Sequence, residues 1–195
     1  MMDLNTHRPP VVLQTIEAAA SAEMPDFTIS SSRLTGALLR TLAASKPGGT
    51  LLELGTGVGI GTCWLLDGMS QDARLITADR DQPRQDLARR FLGHDPRVTF
   101  HYGDTAELIL SSAPQRFDLI FADSSPGKYS LLDELLRTLK PGGLYIVDDL
   151  LPSPKWAEGQ LERATNLVIA LEQRPDLQVM KLHWDVGVVI ATKRA

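Results

Sequence analysis

Six acidic side chains in this sequence stand at or near the ends of short apolar runs, where a parallel sheet would gather them along one rim. The first is Glu53, inside Thr50 to Gly61, TLLELGTGVGIG, where an apolar run gives way to glycine at every second position. Glycine permits positive φ and places no Cβ between the main chain and a ligand, so Gly55, Gly57 and Gly59 allow a cofactor to lie against the peptide groups. A helix starting near Gly61 would aim unpaired N–H groups at that cofactor. The dinucleotide fingerprint needs its third glycine at the place taken by Ile60, and a carboxylate beside the loop suits a cationic ligand better than a diphosphate. Asp79 ends the next apolar run at a spacing that suits an acid accepting both hydroxyls of a ribose, with Arg80 beside it. Asp104 follows Gly103 after a third run, where it is also placed to cap a helix. Asp123 ends the run FDLIFA, and Asp148 with Asp149 end LYIV. Three carboxylates so placed raise one another's pKa unless a cation neutralises them, and a hard divalent ion is one such cation.

These segments resemble a known family. ELGTGVGIGT, with its acid two residues before the glycines, looks like the first motif of class I methyltransferases that use S-adenosylmethionine (SAM). More narrowly, Met24 through Ser32, ITADRD, Asp123 with Tyr129 six residues on, LKPGGLYIVDD and the closing DVGVVIATK resemble the cation-dependent O-methyltransferases of catechols and caffeoyl-type phenols. The resemblance implies that Glu53, Gly55, Thr56, Gly57, Gly59, Asp79, Arg80, Gly103, Asp104 and Asp123 hold SAM. It implies Asp123, Asp148 and Asp149 as ligands of a divalent metal, magnesium, that binds both oxygens of a vicinal diol and acidifies one of them. Lys128, with Asp123, is the catalytic pair it implies, the lysine as base.

Two departures stand beside the likeness. The family has Asp-Asn where this chain has Asp148-Asp149, which adds a negative charge. Its loop after the fourth strand reads Asp-Ala-Asp-Lys, whereas this chain has Asp123-Ser124-Ser125-Pro126 and a lysine two places later, at Lys128. Pro126 and Gly127 can bend that loop to bring the lysine back; a solvated loop charge is the other reading. His183 is the alternative base. Trp156 and Trp184 are candidates to wall an aromatic acceptor, the loop Leu150 to Pro154 to shape its pocket, and Trp64 to pack in the core.

The elements that must position these residues alternate along the chain. Strands are expected at Thr50 to Leu54, Arg74 to Ala78, Val98 to Tyr102, Phe117 to Ala122 and Leu144 to Val147. Helices are expected near Gly61 to Met69, Pro83 to Leu92, Thr105 to Ser111 and Ser130 to Leu139. A helix from Trp156 to Gln173 then leads to Leu177 to His183 and Val186 to Thr192, too close together for a crossover and so an antiparallel pair. The expected class is α/β: a Rossmann-like, mostly parallel seven-stranded sheet with an antiparallel C-terminal pair and helices on both faces. Ahead of it, Val11 to Glu23 and Arg33 to Ala44 read as helices, the second capped from Ser30-Ser31-Ser32, and their apolar faces serve either core or a homodimer contact. The chain thus reads as one domain, 1–195, with N-terminal helices at 1–45 and a core at 46–195.

Composition narrows the partners. The 195 residues carry 20 Lys and Arg against 24 Asp and Glu, for a formal charge of −4, and no stretch concentrates cations enough to track a nucleic-acid backbone. Cys63 is the only cysteine, so no internal disulfide forms. No run reaches the roughly 20 apolar residues of a membrane span, and MMDLNTHRPP lacks the pattern of a secretory signal, so a cytoplasmic protein is expected. The function these features imply together is methyl transfer from SAM to a hydroxyl of a small aromatic acceptor with metal help. A metal-independent small-molecule methyltransferase and a NAD(P)-dependent oxidoreductase are the alternatives.

Overall fold

The computed structural model describes residues 7–27, 32–154 and 156–195. Two helices, α1 (Leu13–Glu23) and α2 (Arg33–Ala44), precede an alternation of β1 (Thr50–Leu54), α3 (Ile60–Gly68), β2 (Arg74–Asp79), α4 (Gln82–Leu92), β3 (Val98–Tyr102), α5 (Thr105–Ser111), β4 (Phe117–Ala122), α6 (Leu132–Thr138) and β5 (Leu139–Val147). The chain closes with α7 (Gln160–Glu172), β6 (Leu177–Leu182) and β7 (Val188–Lys193). The seven strands form one sheet in the order β3-β2-β1-β4-β5-β7-β6. β7 alone runs against its neighbours, pairing antiparallel with both β5 and β6.

Side chains alternate between the two faces of the sheet along the central strands, as a two-residue period requires. Leu51, Leu75, Leu119, Phe121 and Ile146 face one core, shared with α1, α2 and α3. Leu52, Leu54, Ile120, Tyr145 and Val147 face the other, closed by Ile109, Leu135 and Leu167 of α5, α6 and α7. A parallel sheet must be covered on both faces, and here it is. The apolar faces of α1 and α2 are part of the first core through Leu13, Ile16, Ala20, Leu39 and Ala43. Trp64 is fully buried, as expected. A Cβ on Gly36 would lie 2.3 Å from its Nε1, so the missing side chain lets α2 settle on α3, and Arg40 covers the ring at 5.0 Å.

Several boundaries differ from expectation for local reasons. β5 begins at Leu139 rather than Leu144, because Leu139 pairs with Phe117 ahead of a register shift that absorbs Lys140 to Gly143; α6 ends correspondingly early. α7 begins at Gln160 rather than Trp156, after Pro152, Pro154 and a left-handed Gly159 with φ 77°. Ser32 caps α2, accepting from the N–H groups of Leu34 and Thr35. Thr28 to Ser31, part of the expected link and cap, lie outside the described residues.

Candidate active site

Strand register assembles the site. Leu54 is level with Ala78 on one side and Ala122 on the other, and Ala122 is level with Val147. The next residue of each strand or loop, Gly55, Asp79, Asp123 and Asp148, therefore falls on one rim. This is the C-terminal edge beside the point where strand order reverses, the ligand position of open α/β sheets. Backbone bonds fix the rim: Gly55 N–H donates to Ala78 O at 2.8 Å and Asp123 N–H to Leu54 O at 2.8 Å.

Two cavities of about 270 Å³ each lie on this rim. One is lined by Phe27, Gly55, Gly57, Val58, Asp79, Asp81, Arg84 and Asp123. The other is lined by Gly55, Ala78, Asp79, Arg80, Asp104, Thr105 and Asp123 to Pro126. Gly55, Asp79 and Asp123 belong to both, so the two are halves of one elongated site. Gly55 has φ 105°, and a Cβ there would meet the Asp123 carbonyl oxygen at 2.7 Å; Gly57 has φ 50° and open space where its Cβ would stand. The Asp79 carboxylate accepts from Gly57 N–H at 2.7 Å and from Asp81 N–H at 2.9 Å, which holds it across the mouth of the glycine loop. Asp104 caps α5, accepting from Ala106 N–H at 2.9 Å, and also lines the second cavity, so the cap leaves it facing that space.

Four of the residues expected to hold the cofactor stand behind the cavities instead of lining them. Glu53 is completely buried, its Oε2 accepting from the hydroxyls of Thr62 and Thr77. Burial pushes its carboxyl up to about 7 against those hydrogen bonds, and its Oε1 has no partner. Thr56 turns its hydroxyl inward, to Thr77 at 2.7 Å and Gln85 at 3.2 Å. These side chains form a buried polar strut beneath the loop. Gly59 sits against Ala88 and Leu92 of α4 with φ 93°, and Gly103 donates its N–H to Asp79 O at 3.0 Å. Conversely, Phe27, Val58, Arg84, Thr105 and Pro126 line the site although none was expected as a ligand; for Arg84 the signal was its place one turn after Asp81, with which it pairs at 3.2 Å.

On the acceptor side, Lys128 is drawn inside, 5% exposed, so it is no solvated loop charge. Asp148 is buried and Asp123, facing the cavities, is half-buried. Loss of solvent raises both carboxyls, the former to about 6; the Asp148 and Asp149 charges add to the rise at Asp123 and the Asp149 charge to that at Asp148, and the Lys128 ammonium opposes the rise in both. Asp148 Oδ1 is buried without a hydrogen-bond partner. Asp149 differs: it adopts φ 54°, and its carboxylate accepts from Trp156 Nε1–H at 3.0 Å and Gln160 Nε2–H at 3.4 Å. Trp156 is thereby anchored at the rim, whereas Trp184 packs against the first core. His183 is exposed and lines neither cavity. The loop from Leu150 is tied to the β6–β7 turn, Leu150 and Leu151 N–H both donating to Val186 O. In that turn Asp185 accepts from Ser32 and from Thr35 Oγ1–H at 2.7 Å, fastening the N-terminus of α2 to the same rim.

The resemblance implies a divalent metal at Asp123, Asp148 and Asp149, and the donor set does not fit one. Among the described residues no group of three or more His, Cys, Asp or Glu side chains is arranged to hold a metal ion. Asp149 is engaged by Trp156 and Gln160, and a buried ammonium acts on the two remaining acids. No step of the chemistry is therefore routed through a metal.

A family profile described as a methyltransferase domain matches residues 52–150. A relative from Mycolicibacterium vanbaalenii is 33% identical over 138 residues, 68% of this chain and 61% of that protein, so the chain spans under two thirds of its length. Another, from Mycolicibacterium smegmatis, is 32% identical over 150 residues, 73% of this chain and 71% of the relative. Both are named, provisionally, as O-methyltransferases. Among solved structures, the O-methyltransferase from Bacillus cereus in complex with S-adenosylhomocysteine (SAH) matches with a TM-score of 0.80 at 21% identity, over 98% of this chain and 93% of that one. Among the described residues no helix is long and apolar enough to cross a membrane. With sheet order, glycine loop and these likenesses in agreement, the chain belongs to the class I methyltransferase-domain family.

Proposed function

We propose that this protein transfers the methyl group of SAM to a hydroxyl of a small aromatic acceptor. The observation that carries the reading is the joined pair of cavities around Gly55, Asp79 and Asp123. Asp79, held by the loop it faces, is a fixed acceptor for the two ribose hydroxyls. The half with Arg80, Asp104 and Pro126 takes the adenine, and the half with Gly57, Val58 and Arg84 takes the amino-acid end. Asp123, common to both, stands beside the sulfonium that joins those ends, where a carboxylate lowers the energy of the cation. The nicotinamide alternative has no such support, since Ile60 fills the third-glycine place and is buried.

Methyl transfer is an in-line displacement. The acceptor oxygen forms a C–O bond as the C–S bond breaks, the bonding pair returns to sulfur to give SAH, and the hydroxyl proton passes to water. The protein's share is to align oxygen, methyl and sulfur and to settle the charge on the oxygen. We assign the oxygen to the rim at Asp123 on the side of Lys128, a role supported by the action of the buried Lys128 charge on both Asp123 and Asp148, although the lysine itself lines the neighbouring cavity with Tyr129 and Arg163. An aromatic acceptor is supported by Trp156, anchored on Asp149, and by Tyr129, whose ring lies 5.6 Å from Lys128 Nζ; the O-methyltransferase names of the relatives support oxygen as the target.

Incubation with SAM and a panel of mono- and dihydroxylated benzoic and cinnamic acids, read by mass spectrometry, tests the reading. A singly methylated product formed one-for-one with SAH is expected. SAM left intact with every hydroxylated compound, by protein that binds SAH, would set the reading aside in favour of a cofactor-binding subunit.

A further inference from the structure

We propose, resting on the methyl-transfer reading, that the ammonium of Lys128 is the fixed cation of this rim, serving Asp123 and Asp148 in place of a divalent metal ion. The loop is built to bring it there. Gly127 has φ 88°, and a Cβ on it would come within 2.6 Å of Leu54 Cδ1 and 2.8 Å of Leu135 Cδ2. Only a residue without a side chain lets the loop close so tightly on the core. Tyr145 then pins it, its hydroxyl donating to Gly127 O at 2.8 Å, and Ser124 Oγ–H donates to Pro126 O at 3.1 Å. The lysine that follows is carried inward.

A buried lysine requires opposite charge, and acids crowded away from water require a cation. Lys128 and Asp148 are buried and Asp123 half-buried beside the cavities, and the Lys128 charge acts on both acids. Among the described residues Lys128 closes no ion pair within 4.0 Å, so its field acts on both acids rather than being cancelled by one. The unpartnered Oδ1 of Asp148 fits a balance made through space. Asp149, the third acid a metal site would use, is turned to Trp156 and Gln160. A fixed ammonium stabilises a developing oxyanion without chelating two oxygens, so the acceptor need not be a vicinal diol.

The test uses manganese as a paramagnetic probe on the SAH-saturated full chain, with SAH calorimetry reporting the cofactor site and the fold. Wild-type protein is expected to show no bound manganese that Asp148→Asn removes. Lys128→Met, similar in length and uncharged, is expected to keep SAH affinity within about 3-fold and to gain a manganese site that Asp148→Asn abolishes. Manganese bound by wild type and lost in Asp148→Asn overturns the proposal, as does a Lys128→Met protein that binds SAH normally and takes up no manganese. Should Lys128→Met fail to fold, Lys128→Gln replaces it and the wild-type titration stands unchanged. Failure of wild type to bind SAH is a separate result, which removes the methyl-transfer reading itself.

Discussion

The carboxylate of Asp79 accepts the backbone N–H of Gly57 at 2.7 Å, joining the acid at the end of the second strand to the glycine loop after the first. The bond ties the two parts to one another within the protein itself, and a loop fastened in this way has less freedom to lose on association.

Gly57→Ala separates the loop's ligand contact from its folding role. No protein atom lies within 4 Å of the added Cβ, and the left-handed φ of 50° costs an alanine only about 1–2 kcal/mol. Denaturant unfolding should show that modest loss, while calorimetry should show SAH affinity reduced by about tenfold or more. Gly55→Ala, whose Cβ would stand 2.7 Å from the Asp123 carbonyl oxygen, should lose more stability. Unchanged SAH affinity in Gly57→Ala would mean that the cofactor does not lie on this loop.

Stability should depend on pH through Glu53. Burial raises its carboxyl from 4.5 to about 7. Between those values the folded protein keeps a proton that the unfolded chain has released, so stability falls as pH climbs from about 4.5 to about 7 and levels off above. Asp123 and Asp148 act in the same direction, so the difference between wild type and Glu53→Gln isolates Glu53. Thermal melts from pH 5 to 8 should show a shallower decline in the variant; parallel curves would contradict the assignment.

Much of the fold was legible because the strands are short apolar runs closed by Gly or Asp, and their C-terminal residues alone predict the rim. Gly55, Asp79 and Asp123 fell where expected. Less legible was which way a side chain turns at the end of a strand. Glu53 and Thr56 flank the first strand's end like ligands, yet both point into a buried network completed by Thr62, Thr77 and Gln85, and nothing local in the sequence reveals those long-range partners. Asp149 was illegible for a similar reason: its left-handed backbone and the reach of Trp156, seven residues on, decide its direction. The burial of Lys128, two places beyond the family's lysine, depends on Gly127 folding against Leu54 and Leu135, contacts distant in sequence.

Thr35→Val tests the fastening of α2 to the β6–β7 turn. The Thr35 hydroxyl, fully buried, donates to Asp185 at 2.7 Å, and its loss leaves a carboxylate short of a donor, for about 1–2 kcal/mol. Denaturant melts should register that loss, with SAH affinity nearly unchanged because neither residue lines the cofactor cavities. A variant as stable as wild type would show that the clasp contributes nothing.

Tyr145→Phe should loosen the loop that carries Lys128. The buried hydroxyl bond to Gly127 O is worth about 1 kcal/mol, and its removal should lower the melting temperature by a few degrees. Hydrogen exchange should accelerate at Gly127 to Tyr129 and stay unchanged at Gly55 and Gly57. Uniform acceleration across both segments would place the effect in the core rather than in the loop.

The most direct measurement is calorimetric titration of SAH into wild-type protein and Asp79→Ala. The account predicts one SAH per chain, with affinity weaker by at least about tenfold, roughly 1.4 kcal/mol, in the variant. No heat from wild type at millimolar SAH, or equal affinity in the two proteins, would contradict the assignment of this rim as a SAM site.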